Sequence, residues 1–226
     1  MNQGSGVAIT GSNRGLGLAL AEAFSEIGSK LILHVRSHDH IAPLQEKFQI
    51  KENQFFVGDL REPATIESFS KVFSEHKGSI LINNACIHCP SQSIGEISNA
   101  MIEDLVEVNL IAPMKLTRKA VQCCVDKPLT IVNINSMVGI EPKRLRSVYG
   151  ASKAGLKAFS DSLRIEFSEK HLTNVLNVFL SRVRSREDFT EGMIPSRVAK
   201  RIVEHVCSGS DADLTIDGRK DKSFEM

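Results

Sequence analysis

The sequence predicts a three-layer α/β/α protein built on a doubly wound, mostly parallel sheet of seven strands. Short apolar runs alternate with longer segments of helical period along the chain, the order expected when parallel strands are covered by helices on both faces. Crossovers between parallel strands are right-handed, which winds such a chain into the doubly wound form. No linker, internal repeat or low-complexity segment interrupts the pattern, so residues 1–226 read as a single domain.

The elements follow in order. "GVAIT" (6–10) is a strand, and "RGLGLALAEAFSEIG" (14–28) a helix ending at Gly28. "KLILHV" (30–35) is the second strand, "IAPLQEKFQ" a helix, and "QFFVGD" (54–59) the third strand. "PATIESFSKVFSEH" (63–76) is a helix with Pro63 in its first turn, where a missing N–H costs nothing. "SILINNA" (79–85) is the fourth strand. Residues 98–125 form a long helix capped by Ser98 or Asn99. Pro113 lies inside it; lacking an N–H, it frees the carbonyl of Asn109 and kinks the helix there. "LTIVNINS" (129–136), "TNVLNVFL" (173–180) and "DLTID" (213–217) are the remaining strands; 147–170 and "PSRVAKRIVEHVC" (195–207) are helices. The tail "GRKDKSFEM" reads as loosely held.

Composition excludes several classes. A formal net charge of +1 argues against a general electrostatic nucleic-acid binder. No apolar run is long enough to span a bilayer, and "MNQGSGVAIT" lacks the pattern of a signal peptide. Five cysteines without framework spacing indicate a reducing, cytoplasmic setting. "CIHCP" (86–90) lacks four-ligand zinc spacing, so no metal site is expected.

"TGSNRGLG" (10–17) stands between the first strand and the first helix. Its residues Gly11, Ser12, Asn13, Arg14, Gly15, Leu16 and Gly17 are candidates for binding a dinucleotide. Glycines there let backbone amides approach a pyrophosphate, and the helix start offers free N–H groups with a positive dipole end. Such turns also join strands to helices for packing reasons alone. An acid at the end of the second strand would accept hydrogen bonds from a ribose 2′-hydroxyl. Here Arg36 stands in that place and Arg14 lies in the loop, and two guanidiniums suit a 2′-phosphate. NADP(H) is therefore favoured, with NAD(H) kept possible by Asp39; either arginine can also be simply solvated. Asp59 and Leu60, after the third strand, are candidates for the adenine end, although Asp59 would equally cap a turn. Asn83 and Ala85, in "INNA", lie where such sheets meet ligands.

Tyr149, the chain's one tyrosine, and Lys153 are four apart and share a helix face. A lysine ammonium favours the phenolate and draws the phenol toward neutrality, fitting it to exchange a proton with a carbonyl/alcohol oxygen. The lysine can also reach the hydroxyls of a nicotinamide ribose. Ser136 ends the fifth strand and can hold the reacting oxygen; a turn-capping serine is the commoner use. The carbonyl of Asn109 can hold a water that passes protons between Lys153 and solvent; a helix irregularity without chemistry is the alternative.

Taken together and in this order, "TGSNRGLG", "INNA", Asn109, Ser136 and "YGASKAG" resemble the short-chain dehydrogenase/reductases, from Gly6 to about Gly218. The resemblance implies a Rossmann-type sheet, a nicotinamide cofactor and hydride transfer between a carbonyl and an alcohol. It implies Tyr149 as acid/base, Lys153 as its partner, Ser136 as carbonyl anchor and Asn109 as relay support. It also implies homodimers or homotetramers paired through the helices that carry Asn109 and Tyr149. The chain departs from the family pattern at Cys86, where a glycine is usual, and at Ser181 and Arg182, where Pro-Gly is usual. Val183 offers its backbone to the carboxamide, and the substrate loop at about 181–195 is short. A short loop leaves an open site suited to a large, anionic or carrier-linked substrate, and "PKRLRS" (142–147) and "SRVRSR" (181–186) flank its entrance. Two other readings stand beside this one: a cofactor-binding regulatory or scaffold protein with little turnover, and an epimerase or dehydratase that retains its cofactor.

Overall fold

The computed structural model describes residues 6–88, 91–169, 172–184 and 191–224. Seven strands run in the order β3-β2-β1-β4-β5-β6-β7: β1 (Gly6–Ile9), β2 (Lys30–Val35), β3 (Phe55–Val57), β4 (Gly78–Asn83), β5 (Leu129–Ser136), β6 (Thr173–Leu180) and β7 (Leu214–Ile216). Every pairing among them is parallel, where the sequence predicted a mostly parallel sheet. The helices are α1 (Gly15–Glu26), α2 (Ile41–Phe48), α3 (Pro63–Glu75), α4 (Asn99–Val106), α5 (Ala112–Cys123), α6 (Ser147–Phe167) and α7 (Pro195–Cys207).

Alternation along the strands feeds two cores at once. Val7, Ile9, Leu31, Leu33, Ile80 and Ile82 join the core under α1 and α7. The residues between them, Ala8, Ile32 and Leu81, join Phe56, Phe69, Phe73 and Leu116 under α3 and α5. Both faces must therefore be apolar, which is why these strands read as unbroken apolar runs.

The long helix predicted over 98–125 is interrupted. Ser98 caps α4 by accepting the Met101 N–H at 3.2 Å, and Glu107–Ile111 widen into a π-turn before α5. Pro113 sits in the first turn of α5, so the break falls where its missing N–H leaves the Asn109 carbonyl unserved. The tail is a correction. Through Phe224 it is held, because Phe224 packs on the core, its carbonyl accepts the Ile194 N–H at 2.6 Å, and Arg219 clasps Asp217 and reaches Glu141. Polar composition hid two anchoring side chains. Among the described residues no helix is long and apolar enough to cross a membrane.

The chain winds outward from β1 on one side and from β4 on the other, so the topological switch lies between these neighbours. Their carboxyl ends, with that of β5, open one crevice.

Candidate functional site

Loop 10–14 leaves β1 in a conformation that needs its glycines: Gly11 and Gly15 have φ of 67° and 54°. A Cβ on Gly17 would lie 2.0 Å from the Gly11 carbonyl oxygen and 2.6 Å from Asn84 Nδ2, so α1 approaches the loop closer than any side chain permits. Thr10 Oγ1 accepts the N–H groups of Asn84 and Ala85 at 2.8 and 2.9 Å, and Asn84 Nδ2 donates to the carbonyls of Thr10 and Gly11 at 2.8 and 3.3 Å. Ser12, buried, donates to the Ile9 carbonyl at 2.6 Å. Asn13 is half-buried, Arg14 is exposed, and Leu16 and Gly17 are buried. Arg14 is the N-cap of α1 without a capping side chain, and the first turn carries no acid. Among the described residues no side chain caps the start of this twelve-residue helix and no acid offsets its positive end, which fits a bound pyrophosphate.

At the adenosine side, Arg36 ends exposed just beyond β2. Asp59 is taken by Arg61, whose backbone N–H and Nε donate to Oδ1 at 3.0 Å each and whose Nη2 donates to Oδ2 at 2.8 Å. Arg61 also pairs with Asp104 of α4. The Arg61 hydrogen bonds, helped by the charge of Arg36, hold the Asp59 carboxyl below the usual range. The turn-capping reading of Asp59 is thus realised, by a partner that sequence reasoning did not single out. Leu60 is buried beside it. Another unflagged residue, His34 of β2, is 4% exposed and ties the glycine loop to Gly58 through its ring. Its signal was visible as a polar side chain inside the apolar run that follows Lys30 in "KLILHV". Arg61 had none, being one exposed arginine among many.

At the chemical end, Ser136 closes β5 and its Oγ accepts the Val138 N–H at 3.3 Å, the turn-capping use; the Tyr149 phenol, 7% exposed on α6, feels the Ser136 hydroxyl. Leu105 packs on the phenol's ring, with Ile97, Met101 and Val138 around it. Cys86 Sγ lies 4.0 Å from the phenolic oxygen, and the His88 ring stacks on Tyr149 with centroids 5.6 Å apart. Burial pushes the phenol well above its usual range and Cys86 adds to this, while the Ser136 hydroxyl and the Arg146 charge act against it. This corrects the expected lowering by Lys153. Lys153 is 3% exposed and its Nζ donates to the Ile134 carbonyl at 2.9 Å, and burial dominates at the phenol.

Asn109, fully buried in the π-turn, uses its side chain: Oδ1 accepts the Ile87 N–H at 2.8 Å and Nδ2 donates to the Ile87 carbonyl at 2.9 Å. It therefore fixes the loop that carries Cys86 and His88. Asn83 donates to Asn133 Oδ1 at 2.8 Å within the sheet, whereas its neighbour Asn84 holds the glycine loop; half-buried Ala85 lies 3.2 Å (Cα) from where a Gly11 Cβ would stand. Val183 bridges Met193 in parallel, using the Arg182 carbonyl and the Arg184 N–H and leaving Val183's own N–H and carbonyl out of the bridge. Of the entrance arginines, Arg182 pairs with Glu191 at 3.0 Å and Arg184 donates to the Gly192 carbonyl; Ser185 and Arg186 lie outside the described residues, as do Cys89 and Pro90. Among the described residues no group of three or more His, Cys, Asp or Glu is placed to hold a metal.

Comparison with known proteins bears on the family and the fold. A family model described as short chain dehydrogenase matches residues 5–186. A 3-oxoacyl-[acyl-carrier-protein] reductase of Buchnera aphidicola is 31% identical over 169 residues, 73% of this chain and 68% of that protein. An NADPH-dependent 1-acyldihydroxyacetone phosphate reductase of Schizosaccharomyces pombe is 29% identical over 163 residues, 72% of this chain and 54% of that protein. The matched stretch thus spans from about half to about two thirds of these relatives. Among solved structures, a metagenomic short-chain oxidoreductase in complex with NADP superposes with a TM-score of 0.80 at 24% identity, covering 95% of this chain and 97% of that one. A short-chain dehydrogenase/reductase of Serratia marcescens gives 0.83 at 18%, covering 96% and 97%. At these identities the two structures speak for the fold.

Proposed function

The chain belongs to the short-chain dehydrogenase/reductase family of NAD(P)-dependent oxidoreductases, and from that premise we propose that it is an NADP(H)-dependent reductase acting on a carbonyl/alcohol pair with Tyr149 as general acid/base. The observation that supports the reading is the buried Tyr149 phenol on α6, whose titration the Ser136 hydroxyl at the carboxyl end of β5 influences, together with the uncapped start of α1 at the carboxyl end of β1. A nicotinamide cofactor held in the crevice at these strand ends would supply hydride chemistry. The N-terminus of α1 would hold its pyrophosphate, Arg14 and Arg36 its 2′-phosphate, and the Val183 backbone its carboxamide. Ser136 orients the substrate oxygen and Tyr149 donates its proton to that oxygen during reduction. Burial favours the protonated phenol, the form that donates to a carbonyl oxygen in reduction. Lys153 stands one turn along α6 and supports the ribose side.

The substrate class we infer is a large, anionic or carrier-linked carbonyl compound; two relatives are named as reductases of an acyl-carrier-protein-linked and a phosphate-bearing compound, and the sequence at 181–195 is short for a covering loop. We further place the protein in the cytoplasm as a homodimer or homotetramer, without nucleic-acid or membrane partners. Exposed Ala151, Ala154, Ala158 and Ile165 form a stripe on α6 that suits pairing.

The test is Tyr149→Phe. Turnover of a carbonyl panel with NADPH is expected to fall by roughly three orders of magnitude or more, the upper part of the range for general acid catalysis. Calorimetric Kd values for NADPH are expected to stay within about twofold, because the phenol's loss leaves the α1 phosphate site untouched. Retained turnover, or NADH bound more tightly than NADPH by the wild type, would refute the respective half of the reading.

A further inference from the structure

His34 interrupts the apolar run 31–35 of β2, and a polar ring buried there is tolerated only if its nitrogens are satisfied. Both are. Nδ1 lies 3.0 Å from the backbone nitrogen of Gly11, and Nε2 lies 2.9 Å from the carbonyl oxygen of Gly58. A carbonyl can only accept, so Nε2 carries the hydrogen; an amide N–H can only donate, so Nδ1 is the acceptor. The two bonds together dictate one neutral tautomer. The main chain of the same residue adds a third tie, its carbonyl accepting the Ser12 N–H at 2.9 Å. Phe56 packs against the ring, with centroids 5.0 Å apart.

On the cofactor reading above, the two loops joined in this way would flank the adenosine half of the dinucleotide. One is the glycine loop, with Gly11 held at φ 67°; the other starts at Gly58, φ 136°, and leads into the Asp59–Arg61 clasp. We propose that His34 is a positioning residue for the cofactor: its neutral imidazole fixes the distance between the phosphate loop and the adenine-side loop, and so sets affinity for the adenosine 2′-phosphate half of NADPH. The proposal rests on the nicotinamide-cofactor reading above. Burial, which holds the ring to a pKa of about 4, keeps it neutral and able to accept from Gly11 at cellular pH.

A merely structural histidine would cost stability when replaced and leave the binding constants of the folded protein alone. The test therefore compares His34→Leu, which removes both bonds, with His34→Asn, whose Oδ1 stands where Nδ1 stood and keeps the acceptor for Gly11. Kd for NADPH and for adenosine 2′,5′-bisphosphate is measured by calorimetry, kcat at saturating NADPH. For the Leu variant both constants are expected to rise by about tenfold, the loss of a hydrogen bond's worth of preorganisation, with kcat within about twofold; the Asn variant recovers much of the loss. In the cofactor-free wild type, imidazole ¹⁵N spectra are expected to show the Nε2–H tautomer with a through-bond coupling from the Gly11 amide to Nδ1. Unchanged Kd values for His34→Leu, or the opposite tautomer, overturn the proposal. If the Leu variant does not fold, the Asn variant and the wild-type spectrum decide: Asn affinity as poor as that of Gly11→Val, which disrupts the same loop directly, overturns it. Failure of the wild type to bind either dinucleotide instead sinks the cofactor reading on which the proposal stands.

Discussion

Cys86 replaces the glycine usual in this family at the residue after "INNA", and the structure gives that side chain a consequence. Its sulfur lies 4.0 Å from the Tyr149 hydroxyl and raises the phenol's pKa, acting in the same direction as burial. Reduction requires the protonated phenol, so activity is lost as pH rises through that pKa. Cys86→Gly removes both a repulsive neighbour and part of the cover over the phenol, and each change lowers the pKa. The alkaline limb of kcat for carbonyl reduction is therefore expected to move to lower pH in Cys86→Gly, with the acid side of the profile unchanged. A pH–rate profile for the two proteins checks this, and a limb that stays or moves upward contradicts the role given to the thiol. The neighbouring Lys153, expected from spacing to dominate the phenol, instead donates to the Ile134 carbonyl. Four-residue spacing fixes a shared helix face but not where a long, flexible side chain finds its acceptor.

Among the elements, the broken helix between α4 and α5 shows most clearly what a sequence reveals and what it conceals. Pro113 announced the break, because a missing N–H is a property of the residue itself. The clasp made at that break was hidden, since it joins Asn109 to Ile87, 22 positions away, through a side chain that spacing does not aim. The strands were legible because both faces are buried, while their last residues were not. Asn83 and Asn84 are chemically identical, yet β4 ends between them: Asn83 bonds Asn133 in the sheet and Asn84 bonds the glycine loop. Asn109→Ala is expected to lose about 2 kcal/mol of stability, two hydrogen bonds at about 1 kcal/mol each. It also frees the loop carrying Cys86 and His88 beside the phenol, so kcat is expected to fall more than KM for NADPH rises. Denaturant unfolding and steady-state kinetics measure both; an unchanged kcat in a folded Asn109→Ala protein would show that the clasp does not serve the site.

The molecule as a whole inherits a pH dependence from the buried imidazole of His34, which ties the glycine loop to Gly58. An unfolded histidine titrates near 6.5, and His34 in the folded protein is held to about 4 by burial, with the Gly58 hydrogen bond and the Asp59 charge acting against it. Between these values the unfolded chain takes up a proton that the folded protein refuses. This contribution is therefore fully present above pH 6.5, falls as pH drops toward 4, and changes no further below that, amounting to about 3 kcal/mol across the window. The carboxylates held low by arginines act elsewhere: Asp59, under Arg61, and Asp217, brought to about 2 by Arg219, stabilise the fold above the ordinary carboxylate range and lose their effect only at more acid pH. Separate windows make the histidine testable alone. Urea unfolding at pH 7.5, 5.5 and 4.5 is expected to show the wild type losing stability steadily over this range. His34→Asn, less stable at pH 7.5, is expected to lose less on acidification, so that the two curves converge near pH 4.5. Parallel curves would mean that the proton taken up on unfolding does not belong to His34.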